Sequence, residues 1–99
     1  MFVASSKFVV ANEMTAAVKA AFQNRPHLVD TVAGFIRMDV LSPHDNPNEI
    51  WLLTYWDTAE QYHHWHRSDQ HHQSHQWIPK GLKLVPEATE IQFFEHIGS

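Results

Sequence analysis

Apolar and polar residues alternate from Phe2 to Ala11, with Phe2, Ala4, Phe8 and Val10 on one side and Ser5 and Lys7 on the other. A period of two predicts a first strand with one face turned to a core. The period then changes. Met14, Ala17, Val18, Ala21 and Phe22 recur at i, i+3, i+4, i+7 and i+8, the apolar stripe of a helix lying on a sheet. Asn12 is the expected N-cap. Asn24-Arg25-Pro26 ends the helix, because the residue before a proline is pushed out of the helical region.

Gly34 to Leu41 reads as a second strand, with Ile36, Met38 and Val40 on one face and Phe35 and Leu41 on the other. A turn-rich loop follows, Ser42-Pro43-His44-Asp45-Asn46-Pro47-Asn48. Ile50-Trp51-Leu52-Leu53-Thr54-Tyr55-Trp56 is apolar on both faces, which predicts a central third strand covered twice. Thr58 with Gln61 is a capping-box signature opening a second helix. Tyr62 and Trp65 share one face of that helix, and Ser68 starts a further helical segment through His75. Leu82 to Val85 and Thr89 to Ile97 make a last strand, bulged or bent at Pro86.

The order is β-α-β-β-α-β, an α+β ferredoxin-like sandwich in one domain spanning residues 1–99. Its helices cover one face of the sheet. Phe35, Trp51, Leu53 and Tyr55 are expected on one sheet face, so a second chain should cover what the helices leave, giving a homodimer.

Composition narrows the functional classes. With 99 residues, 43% apolar and 18% charged, the chain has the make-up of an ordinary globular domain. Four Trp and six Phe are a heavy aromatic load, which suggests that some of this surface faces a ligand or a partner. The net charge of −4 speaks against nucleic acid, whose phosphates call for a basic face. No stretch approaches the roughly 20 apolar residues of a membrane span. Met1-Phe2-Val3-Ala4 lacks the basic start and apolar run of a signal peptide, so a cytoplasmic location is expected. With no Cys there is neither a disulfide framework nor thiol chemistry. Six of the nine His lie between His63 and His75, and full protonation would carry the charge from −4 to +5. No Ser-His-Asp order, phosphate loop or paired-carboxylate site points to hydrolysis or phosphoryl transfer.

With these elements placed, the chain resembles the antibiotic biosynthesis monooxygenase superfamily, and within it the bacterial haem-degrading monooxygenases of the IsdG type. The resemblance covers nearly the whole chain. It rests on Phe22 late in the first helix, Gly34-Phe35 opening the second strand, Trp56-Asp57-Thr58 at the strand-to-helix junction, and Trp65-His66-Arg67-Ser68-Asp69 with His75 beyond. It implies a dimeric α/β-barrel type of assembly and haem as ligand and substrate together. O₂ and an electron donor would then open the ring and release iron. In that group a Trp of the second helix is followed about ten residues on by the His that binds haem iron. The resemblance therefore makes His75 the metal ligand and puts Trp65 over the distal side of the ring. Phe22 joins His75 and Trp65 as a cofactor-binding residue. The group's third functional residue is an Asn midway along the first strand. Ser6 stands at that place, so Ser6 and Trp65 are the candidate catalytic residues, and the departure bears on turnover more than on binding.

Each residue also has a plainer role on its own chemistry. His75 is readable as one exposed imidazole among several, Trp65 as core packing, and Ser6 as a small strand residue beside a cavity. His71 with His75 at i, i+4, or His72 with His75 at i, i+3, could share a helix face and bind zinc or copper. No carboxylate stands at the matching spacing, and two imidazoles seldom hold a metal alone. Arg25, Arg37, Arg67 and Lys80 are candidates to pair with propionates. Other members of the superfamily oxidise polycyclic phenols or quinol-like substrates with O₂ and no cofactor. That gives a second reading, in which the same pocket holds a small planar substrate that Trp65 and a nearby His position, with help in removing its proton. A third keeps only a non-enzymatic ligand-binding dimer.

Overall fold

The structure is a computed structural model and describes residues 1–68, 71 and 78–99. Four strands form one antiparallel sheet: β1 (Phe2–Val9), β2 (Phe35–Leu41), β3 (Glu49–Trp56) and β4 (Glu90–Glu95). Their order across the sheet is β2-β3-β1-β4. Helices α1 (Thr15–Gln23) and α2 (Ala59–His66) connect β1 to β2 and β3 to β4, giving the ferredoxin-like α+β fold that the pattern predicts. The helical segment expected from Ser68 to His75 falls mostly outside the described residues, as do His72, His75 and Trp77. At its start the Ser68 hydroxyl accepts the His71 N–H at 3.2 Å, the bond of an N-cap.

Alternation along β1 fixes the architecture. Phe2, Ala4, Ser6, Phe8 and Val10 point toward the helices, and their cross-strand partners Trp56, Thr54, Leu52 and Ile50 on β3 share that face. Two apolar clusters result. Phe2, Ala4, Val29, Trp56 and Trp65 pack under α2, and Val10, Val18, Phe22 and Ile50 pack under α1.

The second strand departs from simple alternation. Phe35 pairs with Trp56 and Arg37 with Tyr55, so Ile36 is an extra residue in a β-bulge. The bulge turns Phe35 to the helix side, where it meets Trp56 edge-on at 5.4 Å. Phe35 therefore does not share a face with Trp51, Leu53 and Tyr55. Asn12 is likewise not the cap of α1. Helix α1 begins three residues later, without a side-chain cap, and the Asn12 carboxamide instead donates to the Gly81 carbonyl at 2.9 Å.

Thr58 caps α2 as expected, its hydroxyl accepting the Gln61 N–H at 3.2 Å. Gly34 sits against that cap with φ +87°, and a Cβ there would collide with the Gln61 carboxamide. The Gly34 carbonyl also accepts the Asp57 N–H at 2.8 Å. The start of β2 and the start of α2 are thus clamped together, which sets where Trp65 points.

The last strand divides at Pro86. Lys83 and Val85 bond to Ala11 and Val9, and β4 pairs with Phe2 to Lys7. The break between them holds Glu87 at φ 66°. On the sheet face away from the helices lie Lys7, Trp51, Leu53, Tyr55, Arg37 and Phe94. Lys7 bridges Glu49 at 3.6 Å and Glu90 at 3.3 Å, and the Arg37 guanidinium stacks 4.3 Å over Tyr55. No described helix is long and apolar enough to cross a membrane.

Candidate functional site

The two apolar clusters do not meet. The first ends on β1 at Ala4, the small polar Ser6 follows on the same face, and the space beside these two short side chains opens into a cavity of about 410 Å³. That lies within the roughly 300–1,000 Å³ of small-molecule sites. Its floor is the sheet, with Ser6, Phe8, Met38, Leu52 and Thr54. Phe22, Val29, Tyr62 and Trp65 close it from the helix side, and Ile78, Leu82 and Ile91 from the C-terminal segment. The walls are mainly apolar, so a ligand would gain chiefly by burying ring surface.

Three of the residues singled out in the sequence come together here. Ser6 faces the cavity from mid-β1, opposite Leu52 and Ile91, and its hydroxyl makes no hydrogen bond among the described residues. Phe22 lines the cavity while 8% exposed, near Phe8 at 6.1 Å. Trp65 is 6% exposed, packs with Phe2, Ala4, Val29 and Trp56, and also presents a surface to the cavity. Core packing and ligand facing are therefore both open to Trp65. His75 lies outside the described residues.

Of the four candidate cations, Arg25 lines the cavity, its side chain 12% exposed. Its Nη1 donates to Asp30 Oδ1 at 3.1 Å, and His27 Nδ1 lies 3.0 Å from the other carboxylate oxygen. Burial pulls the Asp30 carboxyl upward, but hydrogen bonds and charge from Arg25 and His27 outweigh it and hold the group below the usual carboxylate range. Arg37 is on the opposite sheet face and is removed from any role in this cavity. Arg67 and Lys80 are exposed and do not line it.

Sequence reasoning did not assign a site role to Tyr62; it gave a His near Trp65 a part in positioning a planar substrate without saying which one, and it considered His71 by name only as a metal ligand. Tyr62 lies 5.7 Å from His66, His66 is 4.6 Å from His71, and His71 meets Trp65 edge-on at 5.6 Å, measured between ring centroids. Tyr62 and His66 share a helix face with Trp65 or its neighbour, a usable signal. The wall formed by residues 78–91 gave none, because its approach is a long-range matter. Burial pushes the Tyr62 phenol above its ordinary pKa, so it stays protonated as a donor. Among the described residues no group of three or more His, Asp or Glu could hold a metal ion.

Comparison with known proteins agrees with this architecture. MhuD, a heme-degrader of Mycobacterium tuberculosis, superposes with a TM-score of 0.80 at 17% identity, covering 100% of this chain and 98% of that one. SnoaB, a cofactor-independent oxygenase of Streptomyces nogalater, gives 0.76 at 14% identity, covering 99% and 94%. Protein SO0527 of Shewanella oneidensis gives 0.70 at 18% identity, covering 94% and 87%. At these identities the likeness concerns the fold. No curated protein sequence matches the chain. The sequence profile of the family described as antibiotic biosynthesis monooxygenase matches residues 1–77, more than half of the chain, and the chain belongs to that family.

Proposed function

We propose that this chain binds haem in the cavity between its helices and sheet and degrades it as a monooxygenase substrate. The observation that carries the reading is the convergence of Ser6, Phe22 and Trp65 on one apolar cavity with Arg25 at its wall. A flat, mostly apolar ring with acidic edge groups matches that donor set. Phe22 and Trp65 would flank the ring, and Arg25 would pair with a propionate through the donors that Asp30 leaves open. His75 would ligate iron, as the resemblance to the haem-degrading group implies. Bound haem supplies the oxygen chemistry, with O₂ and an external electron donor. The protein contributes orientation, exclusion of water and a hydroxyl at Ser6. Titrating the purified protein with haem tests this reading. A saturable Soret shift is expected, lost in His75→Ala.

The same reading makes the chain a cytoplasmic homodimer joined through the sheet face that carries Trp51, Leu53 and Tyr55. Sedimentation at micromolar concentration should give twice the 11.5 kDa chain mass. A lone 11.5 kDa species without self-association would exclude the dimer.

A second reading is favoured by Tyr62, His66 and His71 on the cavity wall. They suit a planar phenol or quinol oxidised by O₂ without a cofactor. Retained turnover of such a substrate without haem uptake would select it.

A further inference from the structure

We propose that Thr54 is a specificity-determining residue of this cavity, its hydroxyl donating a hydrogen bond to an acceptor oxygen carried by a planar ligand. The assignment rests on the second reading above, in which the cavity holds a small planar molecule. Thr54 stands on β3 with its side chain on the helix-facing side of the sheet, and it lines the cavity floor. Its cross-strand partners are Ala4 on β1 and Met38 on β2. Ala4 carries only a methyl group and does not reach over the hydroxyl.

That hydroxyl is already fixed from one side. Trp56 is 0% exposed, and its indole N–H, costly to leave unpaired in an apolar core, donates to Thr54 Oγ1 at 2.9 Å. Threonine is β-branched and stiff about χ1, so this bond selects one setting of the side chain. It uses a lone pair of the oxygen and leaves the O–H proton. Among the described residues that proton has no acceptor.

A donor that the core holds in place and does not use is complementary to an oxygen that accepts. The cavity residues Phe22, Val29, Leu52 and Trp65 are apolar. A neutral carbonyl therefore suits this place better than a carboxylate, whose charge would lose its water there. Because the side chain is ordered beforehand, little freedom is lost when the ligand binds. Apolar burial then supplies most of the affinity, and Thr54 decides which flat rings are preferred and how they lie.

The test uses 9-fluorenone, a planar ketone whose only polar atom is the carbonyl oxygen, beside fluorene, the same ring system without it. In the wild-type protein the infrared carbonyl band of bound, isotope-labelled fluorenone should lie below its position in hexane. Thr54→Val should return the band to that position and weaken fluorenone binding by about twofold to tenfold, with fluorene binding unchanged. Thr54→Ser keeps the hydroxyl and should keep both the band and the affinity. Thr54→Val leaves the Trp56 N–H unpaired, so circular dichroism checks its fold. If it does not fold, Thr54→Val combined with Trp56→Phe, which removes donor and acceptor together, takes its place. A band at the hexane position in wild type, or a shifted band that survives loss of the Thr54 hydroxyl, overturns the assignment and leaves the phenol reading standing. Failure of both fluorenone and fluorene to bind wild type removes both.

Discussion

Ser6→Asn should speed the loss of bound haem under ascorbate and O₂ by about tenfold to a hundredfold while leaving haem affinity close to wild type. The expectation follows from where Ser6 stands. It faces the cavity from the middle of β1, between the two apolar clusters, with Leu52 and Ile91 as its cross-strand neighbours. Binding draws on burial against Phe22, Trp65 and the surrounding aliphatic walls and on the proposed His75 ligation, none of which Ser6 supplies. A serine hydroxyl reaches only a short way and donates one hydrogen bond. A carboxamide at the same Cβ reaches further and donates two. A hydrogen bond to charge that develops only in the transition state is worth roughly 1.5–3 kcal/mol, which sets the range above. The readout is the rate of Soret decay beside a separate binding titration. Equal rates in Ser6→Asn and wild type would show that the strand-one hydroxyl already suffices. A large fall in affinity would mean that Ser6 packs against the ring.

Trp56→Ala should lower the folding free energy by about 3–5 kcal/mol, read as an earlier urea midpoint. Trp56 is 0% exposed, at the end of β3, and its indole N–H donates to the Thr54 hydroxyl at 2.9 Å. Phe35 meets it edge-on at 5.4 Å and Tyr62 at 5.8 Å, so one ring joins the sheet, the bulged start of β2 and α2. Removing it leaves a void among groups fixed by the Gly34–Gln61 clamp, which limits collapse. Against the roughly 5–15 kcal/mol that stabilises a typical domain, this is a large share. Trp56→Phe should cost much less. A loss below about 1 kcal/mol for Trp56→Ala would show that this cluster is not the centre of the fold.

The strands and helices were legible because their periodicity is strong. Phe2 to Val10 alternates over a full strand, and the stripe from Met14 to Phe22 spans two turns. What the pattern missed has identifiable physics. Alternation assumes an unbroken pleat, and the extra Ile36 reverses the face of Phe35 alone. Asn12 has the side chain of a cap, but its carboxamide found the Gly81 carbonyl, a partner far along the chain. In the site, Ser6, Phe22 and Trp65 lie on regular elements, so their facing could be read by counting. The choice of Arg25 over Arg37 depended on which face of the sheet each cation joined. The approach of His66 to His71 depended on the turn after α2. Neither is a property of local sequence.

The central claim is that this cavity takes haem through His75, and a haem titration of wild type, His75→Ala and His71→Ala tests it most directly. The account predicts a saturable Soret shift in wild type, the same shift in His71→Ala, and its loss in His75→Ala. A wild-type protein that leaves the haem spectrum unchanged, or three proteins that shift it alike, would contradict it.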